Sequence, residues 1–275
     1  MPTPFCPGYA TEPYASLVRD YPADPIYPTA AFRTEWGPVF HRGRLDGSAR
    51  LLAIGQDPAQ HEVVARRILV GAAGKRVQGF MAKLGVTTSY VVINVFLYSV
   101  YGQSGGAAHI KDLPITAYRN RWIKSILDTN HIEGVVAFGG LAETAWTAWL
   151  NSPEAAGRPV LPFQRVPHPT SPISGSKGDK AKLAMLTAQM LTAWNAAIAA
   201  LAPSVIHRDG PVGAAYGASF IPAELPDIPM ADLPAGTPPW MATEDAWATR
   251  EGETPMAKRR TIQIVVSKSV VLPAI

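Results

Sequence analysis

The chain has 275 residues, of which 47% are hydrophobic and 17% are charged. This composition supports a sizeable core and excludes a wholly disordered chain. No apolar run reaches the roughly 18 residues of a membrane span, and the first residues lack the features of a signal peptide. Cys6 is the only cysteine, so one chain can form neither an internal disulfide nor a cysteine-rich iron–sulfur or zinc site. We therefore expect a cytoplasmic protein.

The net charge of +4 is unevenly distributed along the chain. Residues 202–275 contain six Lys and Arg against eight Asp and Glu, a net charge of −2, which leaves +6 on residues 1–201. A mildly basic globular part favours a polyanionic partner, although many soluble proteins have the same balance.

Four short apolar runs predict buried strands at residues 51–54, 89–97, 134–138 and 160–166. The intervening stretches have helical spacing at residues 61–84 (with a turn near 71–74), 115–130, 141–150 and 177–201. A glycine-rich loop is predicted at residues 101–112. Strands that alternate with helices are typical of a parallel sheet covered on both faces. We therefore expect an α/β fold, a three-layer α/β/α sandwich with a central four-stranded parallel sheet.

The composition changes after residue 201. Ten prolines fall within residues 202–275, and only residues 261–272 have the character of a strand. We predict one domain over residues 1–201 and a proline-rich C-terminal extension over residues 202–275. We expect this extension to pack on the domain as an ordered arm, because it contains large apolar side chains that need burial: Phe220, Ile221, Trp240, Met241 and Trp247.

Three polar residues interrupt or follow the predicted strands. Asp57 follows the first strand, Asn94 lies in the second, and His168 follows the fourth. Because the carboxyl ends of parallel strands meet at one edge of the sheet, we expect the three side chains to converge on one crevice. An asparagine amide offers a donor and an acceptor side by side, which matches the N3–H and O4 edge of uracil. This set of groups suits base recognition combined with bond cleavage.

The motifs around these residues resemble those of the uracil-DNA glycosylase superfamily. Residues 55–60 (GQDPAQ) are similar to the first motif of that superfamily, and residues 168–172 (HPTSP) to the second, with one extra residue. Residues 91–94 (VVIN) are similar to the strand that carries its base-recognising asparagine. The likeness covers about residues 33–200. It implies a monomeric, nucleoid-associated repair enzyme that removes uracil from single- or double-stranded DNA without a metal or other cofactor.

The resemblance also implies a role for each residue once the nucleotide has flipped out of the stack. Asp57 would polarise the attacking water and stabilise the cationic sugar, and neutral His168 would donate a hydrogen bond to uracil O2. Asn94 would recognise the pyrimidine edge, beside backbone donors near Gln56. Phosphate contacts would come from the segment after motif two, with its isoleucine as a wedge into the stack: Thr170, Ser171, Ile173, Ser174, Ser176 and Lys177.

The sequence departs from the superfamily pattern at three positions. Ala59 stands where selective members have a tyrosine that blocks the thymine methyl, so we predict a pocket that also accepts uracil derivatives and deaminated purines. The expected base-stacking phenylalanine falls on or near Leu69; stacking is worth about 1–3 kcal/mol, so it is either weakened or supplied by another aromatic such as Phe80. His109 is similar to a loop histidine that traps abasic DNA in one branch, but an exposed loop residue is the simpler interpretation.

Other interpretations stay open at this point. Asp57 could cap the following helix, Asn94 could satisfy backbone groups within the sheet, and His168 could be an ordinary loop histidine. Besides a glycosylase, the sequence allows a uracil- or abasic-site-binding protein of the same fold with little turnover. It also allows a doubly wound nucleotide-binding domain with chance motif likeness.

Overall fold

A computed structural model describes residues 8–266 of the chain, so Cys6 and the end of the predicted 261–272 strand lie outside the described residues. The helices and strands, in chain order, are α1 (Tyr14–Arg19), β1 (His41–Gly43), β2 (Leu51–Gly55), α2 (Gln60–Ala65), α3 (Gly71–Lys83), β3 (Tyr90–Asn94), α4 (Gly102–His109), α5 (Leu113–Thr129), β4 (Gly134–Phe138), α6 (Gly140–Leu150), β5 (Phe163–Val166), α7 (Ser171–Ser176), α8 (Lys180–Leu201), α9 (Trp240–Thr243), β6 (Ala248–Arg250), α10 (Pro255–Arg260) and β7 (Ile262–Ile264).

The main sheet has five strands in the order β1-β3-β2-β4-β5 within the described part of the chain. The four predicted strands are present and parallel to their neighbours, which confirms the α/β class. The prediction of a wholly parallel, four-stranded sheet is wrong, because β1 pairs antiparallel with β3 at the edge. Three residues, His-Arg-Gly, form β1, and so short a polar segment has no apolar periodicity to mark it as a buried strand.

Other parts of the chain also differ from the prediction. Strand β3 ends at Asn94, and the apolar residues that follow it leave the strand, although Val95 and Phe96 still donate their N–H groups to the carbonyls of Gly55 and Gln56. The segment predicted as a glycine-rich loop contains helix α4. Glycine composition favours a loop only weakly, so it did not exclude a helix at these residues.

Apolar side chains cover both faces of the sheet. On one face, alternate strand residues pack against Trp122 of α5 and Trp146 of α6. On the other face they pack against Phe80 of α3 and Trp194 of α8. The strands are buried along their length in β2, β3 and β4, as expected for parallel strands between two helical layers.

Helix α8 is long and apolar enough to cross a membrane by length and composition, and it is the one such helix among residues 8–266. One side of it is buried in the core, where Leu191, Trp194 and Leu201 are fully covered. Only 28% of its most apolar window is buried, so α8 packs on the sheet along one side.

The C-terminal extension packs on the domain. Tyr216 contacts Trp194 edge to face, and Trp247 joins a small apolar cluster with Ala65 and Val70. Phe220, Trp240 and Met241 are partly buried, whereas Ile221 is 55% exposed, so the expectation of its burial is wrong. Strands β6 and β7 form an antiparallel hairpin in which Ala248 pairs with Ile264.

A buried carboxylate joins the extension to the sheet. Asp232 Oδ2 lies 3.1 Å from Arg42 Nη1 on β1, and both side chains are fully buried. Asp232 Oδ1 lies 3.2 Å from Arg44 Nη2, and the Tyr90 hydroxyl donates a hydrogen bond to Oδ2. A buried charge is tolerated only when it is paired and hydrogen-bonded. The extension therefore supplies the counter-charge that lets Arg42 lie in a buried strand.

We predict that Asp232→Ala lowers the free energy of unfolding by about 3–5 kcal/mol, because it leaves the Arg42 guanidinium buried without a counter-ion. Chemical denaturation measures this loss. Asp227→Ala is the matched control, since Asp227 is 58% exposed and 3.5 Å from Lys75; its loss should stay within about 1 kcal/mol. Equal losses in the two variants would contradict the structural role of Asp232.

Candidate active site

The carboxyl ends of β2 and β3 place an asparagine amide over a glycine. Gly55 and Asn94 are paired in the sheet, and a Cβ atom on Gly55 would come closer than 3.0 Å to Asn94 Oδ1. Asn94 is 8% exposed, and within residues 8–266 neither its Oδ1 nor its Nδ2 has a hydrogen-bond partner. Most buried polar groups are paired, so an amide left with both atoms unpaired is a candidate ligand contact.

Asp57 lies two residues beyond the end of β2. Its Oδ2 accepts a hydrogen bond from the Val100 N–H at 3.0 Å. Arg33 fixes the same loop by donating to the Val100 carbonyl at 2.5 Å and to Ser99 Oγ at 2.9 Å. Burial raises the pKa of Asp57 to about 6, although hydrogen bonds from Val100 and Gln56 and the nearby guanidinium groups lower it. A carboxyl group with this pKa exchanges its proton near neutral pH, as a general base must.

Glu62 is a site residue that the sequence analysis missed. Its Oε1 accepts a hydrogen bond from the Leu69 N–H at 2.7 Å, and its Oε2 accepts one from the Ala59 N–H. Burial raises the pKa of Glu62 to about 8, and the charge of Asp57 adds to that effect. Ala59 is the N-cap of α2, and a glutamate three residues after an N-cap is half of a capping box, a pattern that could have identified Glu62.

Leu69 lies beside Asn94 at the end of β2. The Leu69 Cδ1 atom lies 3.6 Å from the position of a Cβ on Gly55, and the backbone of Leu69 is in the left-handed region with φ 53°. Such a conformation is strained in a bulky residue and is found preferentially at functional sites. Gly74 allows it, because any side chain there would collide with the Leu69 carbonyl. The position predicted for the stacking residue is thus at the crevice, but its side chain is aliphatic.

Phe80 does not replace the missing aromatic. It is fully buried, with its ring 5.4 Å from the rings of Phe138 and Trp194. The suggestion that it stacks on a base is wrong, because its helical position directs it into the core under α8.

His168 lies beside the glycine that follows β4. Its Cβ is 3.4 Å from the position of a Cβ on Gly139. The Thr170 N–H donates to His168 Nδ1 at 3.3 Å, and Thr170 Oγ1 is 2.9 Å from the same atom. A backbone N–H can only donate, so Nδ1 is the acceptor and the ring proton is on Nε2. Burial lowers the pKa of His168 to about 4, so the ring is neutral at pH 7 with Nε2–H as a donor.

The segment after motif two forms the short helix α7, which begins three residues after His168. Arg76 of α3 fixes its start by donating to the Pro169 carbonyl at 2.6 Å. Thr170 is half-buried and its side chain contacts His168. Ser176 is buried and its hydroxyl donates to the Ile173 carbonyl at 2.9 Å, so the prediction that it contacts phosphate is wrong. The remaining predicted contact residues are exposed: Ser171, Ile173, Ser174 and Lys177.

His109 has local partners. Its Nδ1 is 2.6 Å from Asp112 Oδ2, and its ring is 5.2 Å from that of Phe32. It ends helix α4 and is half-buried, which differs from an exposed loop residue.

The two other predicted residues of motif one differ in exposure: Gln56 is half-buried and Ala59 is exposed.

These groups share one edge of the sheet. The Asn94 amide lies over the end of β2, and His168 lies beside the end of β4, the neighbouring strand. Adjacent strands are about 4.8 Å apart, so a single base ring can span the two positions. A donor–acceptor amide, a half-buried carboxyl group and a neutral imidazole donor together can bind a planar imide and stabilise an anionic leaving group. No group of three or more metal-ligating side chains occurs among the residues that the structure describes.

Comparisons with known proteins do not assign the chain to a family. No protein-family model matches the chain, and no curated protein matches it.

We predict that Gly55→Ala abolishes ligand recognition while leaving the fold intact, because the new methyl group displaces the Asn94 amide. Binding of free uracil, a planar imide, measured by calorimetry, and the melting temperature together test this. Gly140→Ala is the control, since a Cβ there has nothing within 4 Å. If Gly55→Ala binds as tightly as Gly140→Ala, the Asn94 amide is not a ligand contact.

A second prediction concerns stability and pH. The folded-state pKa of Asp57 exceeds its usual value, so the protein loses stability as the pH rises through about 6. Asp57→Asn should therefore melt at a higher temperature than the wild type at pH 8, and the difference should vanish near pH 4. Asp46 is the control. Burial raises its pKa, but hydrogen bonds from Ser48 outweigh that effect and the pKa is lowered overall, so Asp46→Asn should not raise the melting temperature at pH 8. A destabilised Asp57→Asn at pH 8 would contradict the burial of this charge.

Proposed function

We propose that this protein is a DNA glycosylase that hydrolyses the N-glycosidic bond of uracil and leaves an abasic site for base excision repair. The observation that carries the proposal is the buried Asn94 amide, neither of whose polar atoms has a partner in the part of the chain that the structure describes. The N3–H and O4 groups of uracil would satisfy the acceptor and the donor together. Cytosine presents the opposite pattern and would leave these groups unpaired, which is a strong basis for discrimination.

The other two side chains fit the chemistry of bond cleavage. As the bond between C1′ and the base lengthens, its electron pair moves to the base and positive charge develops on the sugar. The His168 Nε2–H would donate to uracil O2, which stabilises the anionic base. Ionised Asp57 would stabilise the sugar cation and accept the proton of the water whose oxygen bonds to C1′. Its pKa of about 6 leaves most of it ionised at pH 7.5.

The base range follows from two residues. Ala59 supplies no aromatic side chain to exclude a 5-methyl group, and Leu69 supplies no ring for stacking. We therefore propose that the enzyme also accepts 5-substituted uracils and deaminated purines.

A second candidate is a uracil- or abasic-site-binding protein of the same fold with little turnover. Leu69 favours it, because an aliphatic side chain stabilises the flipped base less than an aromatic ring does.

Alkali cleavage of end-labelled oligonucleotides tests the proposal. The substrates carry uracil, thymine, cytosine or hypoxanthine, each in single- and double-stranded form. We predict that the wild type releases uracil, that Asp57→Asn slows release about 10²–10⁴-fold, and that His168→Ala slows it about 10²–10³-fold. Asp46→Asn and His131→Ala are the controls, because both residues lie near the amino ends of the strands.

Each result separates the candidates. Tight binding of uracil-containing DNA without release favours the low-turnover protein. Neither release nor binding rules out both. Release of uracil alone from the panel would keep the glycosylase and refute the wide base range.

A further inference from the structure

The acidic residues of the C-terminal extension are mostly used in contacts with the domain. They contact basic side chains or backbone N–H groups of residues 1–201: Asp209 with the N–H groups of Thr87, Thr88 and Ser89, Glu224 with Lys83, Asp227 and Asp245 with Lys75, and Asp232 with Arg42 and Arg44. The net charge of −2 on residues 202–275 therefore does not describe the outer surface of the extension.

The basic residues near the end of the extension are used differently. Arg250 at the end of β6, and Lys258 and Arg260 in α10, are exposed. Among the ion pairs of residues 8–266, none involves these three side chains. We refer to Arg250, Lys258 and Arg260 as the basic hairpin surface. Glu251 and Glu253 are the exposed acids closest to it in sequence.

The basic hairpin surface is fixed beside motif one (residues 55–60) by two hydrogen bonds. The Trp247 N–H, next to β6, donates to His61 Nε2 of α2 at 3.1 Å, and α2 begins at Gln60, the last residue of motif one. Trp36 Nε1 donates to the Arg260 carbonyl at 3.4 Å. Both contacts use backbone atoms, the Trp247 N–H and the Arg260 carbonyl, so neither of them occupies the guanidinium groups of Arg250 and Arg260.

Electrostatic effects support the same placement. The Arg250 guanidinium contributes to lowering the pKa of Asp57 and of the buried Arg33, and Arg260 acts in the same direction on Tyr101. Such effects fall off with distance, so the cations lie near the Asp57 side of the crevice. Helix α7 follows β5, which is the edge strand at the opposite end of the sheet from β1.

We propose that the basic hairpin surface binds the phosphates of DNA that enters the crevice, opposite the segment after motif two. This inference rests on the proposed function, and it assigns to the extension a role that the superfamily resemblance does not cover. A DNA strand held between the basic hairpin surface and the segment after motif two would place one nucleotide over Asn94 and Asp57. Contacts to phosphate are independent of sequence, so they apply to DNA with or without uracil.

Fluorescence anisotropy with a labelled, uracil-free single strand tests the proposal across a salt series. Arg250→Gln combined with Arg260→Gln should make the slope of log K against log salt shallower by about 1.4, since each lost phosphate contact on a single strand contributes about 0.7. The control combines Arg121→Gln with Lys124→Gln, two exposed positions on α5, and should leave the slope unchanged. Glu251→Gln combined with Glu253→Gln should tighten binding. Melting temperatures verify that each variant folds.

The outcomes separate this surface from the glycosylase activity. If uracil is released but the slope is unchanged in Arg250→Gln/Arg260→Gln, the surface is refuted and the enzyme stands. If uracil is not released but the slope falls only in that variant, the surface stands and the activity is refuted. An equal fall in the α5 control refutes the surface, and absence of DNA binding at low salt refutes both.

Discussion

The buried Asp232 carboxylate is the contact on which much of the architecture depends. It neutralises Arg42 on the edge strand and accepts from the Tyr90 hydroxyl on β3, so it joins the C-terminal extension to the sheet. Burying an arginine in an edge strand would be prohibitive without that counter-charge. From this anchor the chain continues through the cluster around Trp247 to the hairpin beside motif one. The extension is thereby part of the same core as the domain, and its charges reach the crevice.

The residues packed around motif one combine a strained backbone with buried polar side chains. Leu69 is held in a left-handed conformation, and Glu62 accepts from the N–H groups of Ala59 and Leu69, on either side of α2. The Asn94 side-chain amide beside them has no hydrogen-bond partner among residues 8–266. Sites that break local rules are expected where function requires it, because the surrounding structure must then stabilise the conformation.

Burial has opposite effects on the two ionisable groups of the crevice. It raises the pKa of Asp57 to about 6 and lowers that of His168 to about 4, since both charged forms are desolvated. The result is a carboxyl group that is largely ionised at neutral pH and an imidazole that is uncharged. The Thr170 N–H fixes the tautomer of that imidazole. A site with this protonation pattern can stabilise a sugar cation and an anionic base at the same time.

The sequence alone determined the α/β class, the four parallel strands and the shared edge of Asp57, Asn94 and His168, because apolar runs and strand ends are local features. Only the tertiary structure decided that β1 completes the sheet, since Arg42 is paired with a carboxylate 190 positions away. It also decided that Leu69 lies beside Asn94 while Phe80 lies in the core, and that Glu62 bonds the backbone on both sides of α2. It placed Arg250 near Asp57 as well. Such contacts join residues far apart in the chain, and no local periodicity encodes them.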